Sequence, residues 1–414
     1  MLQRGMLAMM VVSLLLAGCQ TKTDAESAAE EVKIHQVDIT PSPQYKPTLA
    51  MTLPDSCSVP DGMTLDDATG MIYLNVPNFA PRTADGKKVN PALLARFDKN
   101  DQLEILLEYP VHEGTGEVGP MGLDFGPDGN LYVCDNQFFV EPNGSHASRI
   151  LRVEMKEGKP TGKVETVVDG LKLANAVLWK DGFMYVTDTN LQIPDRKDFG
   201  NGCIWRFAEK EVVGTTQALK VDPTVKEGVP VDSHMMVVCP VKKIGRGDNS
   251  GLDGLTWAWG ALYVGNFGDG VMFRIDMDEA GKATATKVLD DESVHCCDGI
   301  FYDAATDKIY ISDSQANAIR TLSKEHVPGW LWVNDDTNGE DGLLDQPAEC
   351  LVRDGVLYVV NFDWAFPGLK NTTSVDKPYS ISAITVGTQP DVPAKKAAEV
   401  AAEATVELPP VENE

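Results

Sequence analysis

The chain has little of what the commoner hydrolytic and redox centres are built from. No HExxH, CxxC or GxSxG arrangement occurs in its 414 residues, and there are only 6 histidines. That argues against a zinc protease, a thiol oxidoreductase and a nucleophile-elbow serine hydrolase. Basic residues are few: 36 Lys and Arg stand against 62 Asp and Glu, for a net charge of −26. The imbalance disfavours nucleic acid and anionic lipid as partners and suits cations. A bilayer-length apolar run is missing at the N-terminus too, since the stretch from Met6 to Leu16 is about half of what a helix needs to cross a membrane.

That stretch follows Arg4 and stops at Ala17, Gly18 and Cys19, which reads as a secretory signal removed on export. Small residues directly before a cysteine point to a lipoprotein signal, residues 1–18, with the Cys19 thiol acylated and several acyl chains holding the protein on a membrane. Gln20 follows the cysteine rather than Asp, which in a Gram-negative cell favours the outer membrane. The expected location is therefore the cell envelope, lipid-anchored. Residues 19–47 are polar and read as a tether, and residues 388–414, rich in Ala, Glu, Pro and Val, as a disordered tail. Residues 48–387 remain for the folded domain. Because the tail holds only two lysines and six acids, the domain itself is acidic. Seven cysteines follow Cys19: Cys57, Cys134, Cys203, Cys239, Cys296, Cys297 and Cys350. Their odd number leaves at least one out of any intramolecular pairing, with Cys203 and Cys239 the candidate disulfide in an oxidising compartment.

What is abundant is repetition. One unit recurs six times: DGMTLDDATGMIYLN from Asp61, MGLDFGPDGNLYVCDN from Met121, NAVLWKDGFMYVTDTN from Asn175, DGLTWAWGALYVGNF from Asp253, DGIFYDAATDKIYISDS from Asp298 and ECLVRDGVLYVVNF from Glu349. Each holds two short strands joined by a tight turn. Successive starts lie 60, 54, 78, 45 and 51 residues apart, the spacing of four-stranded blades. Further strand-like runs, such as Arg149 to Glu154 with Lys163 to Val168 and Val271 to Asp276 with Thr284 to Leu289, supply the outer halves. The pattern predicts an all-β, six-bladed β-propeller, closed by pairing Ile381 to Val386 with a strand at Thr48 to Leu53. The longest spacing holds an insertion between Asn190 and Asn249, expected to form loops at one mouth of the channel.

In such a fold the first strand of each blade lines the axis, and its opening residues converge at one end. Those positions are Asp61, Met121, Asn175, Asp253, Asp298 and Glu349. Converging carboxylates repel and raise one another's pKa, and a divalent cation relieves the repulsion. Oxygen donors suit a hard ion: Ca2+ most naturally, Mg2+ or Mn2+ otherwise. The alternative is that Asp-Gly and Asn are turn residues entering a strand. A second ring lies three residues past each Tyr, at Asp135, Asp188, Asn266, Asp313 and Asn361, broken by Val76, and reads as strand-end capping. The tyrosines themselves read as packing between blades. His295 precedes the fifth inner strand and could shuttle a proton, or simply pack. The vicinal Cys296 and Cys297 allow a redox centre or plain buried thiols. Phe267, Phe362 and Trp364 could wall a substrate mouth or pack in the core.

With these repeats and acidic or amide inner residues, Ser58 to Val386 resembles the senescence-marker-protein, gluconolactonase and regucalcin family, and more distantly the paraoxonases and diisopropyl fluorophosphatase. The resemblance implies one divalent metal held by a Glu of the first blade and Asn and Asp residues of later blades. By blade order Asp61 takes the Glu place, Asn175 and Asp253 the amide places and Asp298 the Asp place, or else Asn175 and Asp253 are the Asn and Asp. Asp61 is shorter than Glu, and Asp253 adds charge where an amide is expected. Glu349 is a further candidate ligand. The implied activity is hydrolysis of a small-molecule lactone or related ester, with Asp298 or Asp253 as general base. The rival reading is a non-enzymatic propeller that binds a ligand or an envelope protein around a structural metal, and a third is a lyase or redox propeller using Cys296 and Cys297.

Overall fold

The structure, a computed structural model, describes residues 42–137, 147–191, 201–227, 229–240, 251–279, 281–291, 293–364 and 377–387. The signal, Cys19, most of the tether, the tail, His35 and His146 lie outside the described residues.

Alternation of apolar and polar residues with turn punctuation builds six antiparallel sheets around an axis. Blade 1 runs Met63–Asp66, Met71–Val76, Leu93–Phe97, Leu103–Glu108, and blade 2 runs Pro120–Phe125, Leu131–Asp135, Ser148–Lys156, Lys159–Leu171. Blade 3 is Ala174–Lys180, Phe183–Asp188, Asn201–Ala208 and Met235–Pro240. Blade 4 is Leu252–Ala258, Ala261–Asn266, Val271–Met277 and Ala283–Asp290, and blade 5 is Ile300–Asp303, Lys308–Asp313, Ala318–Leu322 and Pro328–Val333. Blade 6 takes Pro347–Arg353, Val356–Asn361 and Ser380–Thr385 from the end of the domain and Thr48–Thr52 from its beginning. The expected closure is therefore present, with Thr48 opposite Ala383 and Thr52 opposite Ser380.

The blades hold together through the repeated tyrosines, all buried. Tyr73 packs edge-on against Phe125 of the next blade at 5.2 Å and Tyr132 edge-on against Trp179 at 4.8 Å, while Tyr358 of blade 6 meets Phe97 of blade 1 tilted, at 5.6 Å. Arg353 adds a second seal between the last blade and the first. Its guanidinium donates to Gly70 O, Asp98 O and the Asp101 carboxylate, and it is a hydrogen-bonded, charge-assisted tie of the kind that contributes most when shielded from solvent.

The described central part of the insertion, residues 209–227 and 229–234, falls between the third and fourth strands of blade 3, at the outer rim. Residues 192–200 and 241–250, on which the expected mouth loops fall, lie outside the described residues. Leu219–Lys220 there pairs in parallel with Val168 and Asp169, adding a fifth strand to blade 2, and Arg152 ties it down through Val212 O and Thr215 O. An edge that would otherwise be open is thus covered.

Closure by an N-terminal strand makes a direct prediction. A chain beginning at residue 42 should melt like the longer one. A chain beginning at residue 53 loses Thr48–Thr52 and buried Met51, leaves Ser380–Thr385 as a free edge, and should melt several degrees lower and associate on size-exclusion chromatography. Equal melting of the two chains would show that closure does not depend on this strand.

Candidate functional site

The inner strands create the site because their pairing slips at one level. Pro120 faces Asp135, but Leu123 faces Val133; Ala174 faces Asp188, but Val177 faces Val186. Leu252 and Pro347 begin the same slip in blades 4 and 6. Each slip is a bulge carrying one extra residue, and a bulge re-aims the side chain that it displaces. The bulged pairs are Met121-Gly122, Asn175-Ala176, Asp253-Gly254 and Ala348-Glu349. At the same level in blades 1 and 5, the Asp61 N–H donates to Asn75 O and the Asp298 N–H to Ser312 O, both at 3.0 Å.

The glycines that follow the ring residues serve close approach, not turns. A Cβ on Gly62 would lie 2.5 Å from Met121 O, one on Gly122 2.7 Å from Asn175 O, and one on Gly254 2.5 Å from Asp298 O. Gly299 is pressed against Ala348 O and the Glu349 carboxylate, and its N–H donates to Ala348 O at 2.8 Å. Neighbouring inner backbones are therefore in contact around the axis.

Asp61, Asn175, Asp253, Asp298 and Glu349 are brought to line one cavity of about 10 Å3, room for a single water-sized sphere. Met121 does not line it and is buried in the core. Glu349 arrives by a different route from the others. Register makes Ala348 the equivalent of Asn175 and Asp253, so Glu349 stands where the other blades have Gly or Ala, and its longer side chain reaches back into the cavity.

Burial and mutual repulsion raise the proton affinity of these acids. Burial pushes Asp61 up to about 7. Asp298 is held well above the usual carboxylate range by burial and then by Asp253, Asp61 and Glu349, offset in part by a hydrogen bond from Ser314. Glu349 is raised well above its ordinary value, first by burial. Among the described residues no group of three or more His, Cys, Asp or Glu is arranged to hold a metal ion. The donor chemistry nevertheless fits one: carboxylate and carboxamide oxygens around a one-sphere cavity, with repulsion that a hard cation would relieve.

The second ring is structural. Asp135 accepts the Gly119 N–H at 2.8 Å, Asp188 the Leu173 N–H at 2.7 Å, Asp313 the His295 N–H at 3.0 Å and Asn361 the Asp345 N–H at 3.0 Å. In these four blades the acceptor fixes the loop entering the inner strand of its own blade; Asn266 instead caps Asp269. The break at Val76 is filled two residues on, where Asn78 accepts the Ser58 N–H at 2.7 Å.

One residue of the channel was not evident from sequence. Asp124 lines a cavity of about 140 Å3 further along the axis. Its carboxylate accepts the Trp179 N–H of blade 3 at 2.7 Å and the Thr64 hydroxyl of blade 1 at 3.4 Å, so it clamps three blades, and burial pushes it up to about 6. In sequence it looks like any strand aspartate.

The cysteines depart from expectation. All seven described are free and buried, Cys203 and Cys239 included, and burial pushes Cys239 up to about 12 and Cys296 well above its ordinary value. Cys296 contacts the Ser314 hydroxyl at 3.2 Å. Neutral buried thiols are poor nucleophiles, which favours the reading of Cys296 and Cys297 as plain buried thiols over a redox centre. None of His112, His234, His295 and His326 lines the ring cavity.

No family model matches the chain, and no curated protein matches its sequence. Its structure is similar to the PQQ-bound aldose sugar dehydrogenase of Streptomyces coelicolor, at 15% identity and a TM-score of 0.51 over 83% of this chain and 99% of that one. It is also similar to a gluconolactonase of Xanthomonas campestris, at 12% identity and a TM-score of 0.48 over 84% and 96%. A third similar structure is the calcium-binding regucalcin of Agrobacterium tumefaciens, at 10% identity and a TM-score of 0.46 over 84% and 97%. Such identities speak to fold alone.

Two outcomes follow from the packed, acidic axis. Gly254→Ala and Gly299→Ala force adjacent inner strands apart and should each cost about 1–3 kcal/mol by denaturant unfolding; a neutral result would mean that the strands separate freely. The second concerns pH. Asp61 binds its proton more tightly folded than unfolded, so its contribution to stability is greatest below about pH 4 and declines as pH rises toward 7. With chelator present, Asp61→Asn should flatten the fall in melting temperature over that window; an unaltered slope would refute the assignment.

Proposed function

We propose that this protein is a divalent-metal-dependent hydrolase of a lactone or related ester, anchored in the cell envelope by lipid on Cys19. One observation carries the catalytic part: five residues with oxygen-bearing side chains, from five blades, line a single cavity on the propeller axis. Four of them, Asp61, Asn175, Asp298 and Glu349, are only partly buried, which suits a site that substrate reaches better than a sealed structural plug.

Asp61, Asn175, Asp253, Asp298 and Glu349 would hold the ion, Ca2+ by donor type, and bound there it would supply Lewis-acid polarisation of the carbonyl. The side chains supply the rest. Asp298 is the base that takes the proton of the attacking water, because burial and then its acidic neighbours strengthen its hold on a proton. Asp253, buried beside it, contributes the largest share of that repulsion. Asn175 gives the ring an uncharged oxygen and so limits the repulsion that must be overcome when the ion is absent. Anchoring follows from Leu16, Ala17, Gly18 and Cys19 alone and is independent of the chemistry.

The test is hydrolysis of a panel of aldonolactones, alkyl lactones and simple esters by the full-length protein with and without chelator. Asp298→Asn should lower kcat by about 100-fold or more, and chelator should abolish turnover reversibly. Activity indifferent to both would rule out the ring as the centre. Separately, Cys19→Ser should move the protein from the membrane to the soluble fraction.

A further inference from the structure

Opposite each repeated tyrosine the inner strand of every blade presents one residue, and register makes the six equivalent. Thr64 faces Tyr73, Asp124 faces Tyr132, Leu178 faces Tyr185, Thr256 faces Tyr263, Phe301 faces Tyr310 and Leu351 faces Tyr358. All six line the axial cavity of about 140 Å3. Asp124, Leu178 and Phe301 are only half-buried, as is Glu349, which borders both this cavity and that of the ring. The wall therefore meets open space rather than packed core.

The polar members of the layer reach the next blade. Asp124 accepts the Trp179 N–H, Thr256 accepts the Tyr302 N–H at 3.0 Å, and Thr64 donates to Asp124. Asp124 also accepts the Phe125 N–H at 2.8 Å, and Glu349 the Cys350 N–H at 2.9 Å. Each of these donors is neutral, and no Lys, Arg or His lines the cavity. A carboxylate has about four acceptor sites, so Asp124 keeps one for a further N–H. A negative charge beside apolar walls and without a counter-charge is costly, and burial raises the proton affinity of Asp124 and Glu349 alike. A hard metal ion does not suit this chamber, because it takes about six oxygen ligands and most of the wall is aliphatic or aromatic. An occupant with one positive charge and an apolar body fits both parts of the wall. A cavity of about 150 Å3 admits a six-carbon ring, which limits that occupant to about six heavy atoms.

We propose that the axial cavity is a binding site for a small alkylammonium, its charged nitrogen on Asp124 and its chain against Leu178, Phe301 and Leu351. The site stands apart from the hydrolase reading, since its occupancy is read without turnover. Full-length protein in excess Ca2+, at about pH 8 where an alkylamine is protonated as lysine is, is titrated calorimetrically with pentylamine and with 1-pentanol, a neutral counterpart of equal length. The ammonium should bind at least about tenfold more tightly. Equal binding overturns the choice of a cation, and no binding of either overturns the cavity as a site. Asp124→Asn should bring the ratio close to one. Leu178→Phe fills the chamber and leaves both acids in place; it should weaken pentylamine at least about tenfold, and it tests the location if the Asn variant fails to fold. Unchanged pentylamine binding in either folded variant overturns the placement.

Discussion

Everything in this molecule is arranged around the contact between inner strands at the axis. Gly62, Gly122, Gly254 and Gly299 admit no Cβ there, because the carbonyl of the neighbouring blade already fills the space. Backbones this close cannot keep a regular ladder with their own second strands, and the bulges relieve the mismatch. Where the displaced residue is polar it lines the axial cavity, as Asn175 and Asp253 do, whereas Met121 is buried in the core. Backbone geometry therefore supplies the place, and the side chains that stand there supply the acidity. Four carboxylates confined around a 10 Å3 cavity cannot all stay ionised without a counter-charge, which is why Asp298 and Glu349 are raised so far.

The six copies, the inter-blade tyrosines and the closing strand were legible because each depends on local pattern: a two-residue period, a turn, a spacing. Closure was readable since the last copy lacks a fourth strand and the first is preceded by one. Register was less accessible. In blade 6, Glu349 opens the visible repeat, yet Ala348 is the true counterpart of Asp253, and only hydrogen-bond pairing distinguishes a residue at the bulge from its neighbour. The insertion at Asn190 to Asn249 was visible as excess length, but its attachment to the rim of blade 2 depends on Arg152 and on parallel pairing at Leu219, contacts with no signature in sequence. The same holds for Asp124, whose donors come from two other blades.

The two rings of Asp and Asn are a sharper case, since they share composition and differ in role. Asp135 and Asp188 are fully buried and filled by backbone N–H donors, and Asp135 also has Arg149 at 2.7 Å. Their charge is spent on holding loops. Asp61, Asp298 and Glu349 sit at the cavity wall with acids for neighbours. What separates a capping carboxylate from a candidate ligand is therefore the donor inventory around it, and sequence spacing alone could only note that the rings are distinct.

That distinction also bears on how one propeller can differ from another in chemistry. Ring, caps and glycines follow from closing six blades, so they limit what can vary. The residues that follow the caps, Asn136, Thr189, Phe267, Ser314 and Phe362, are chemically unlike although register makes them equivalent, and all five are buried. Their differences answer to local packing: Phe362 stacks on Trp364, which meets Phe79 of blade 1, and the Ser314 hydroxyl contacts Cys296. The position past the caps is therefore a packing layer whose side chains differ from blade to blade, and the candidate chemistry stays with the acids that line the cavity.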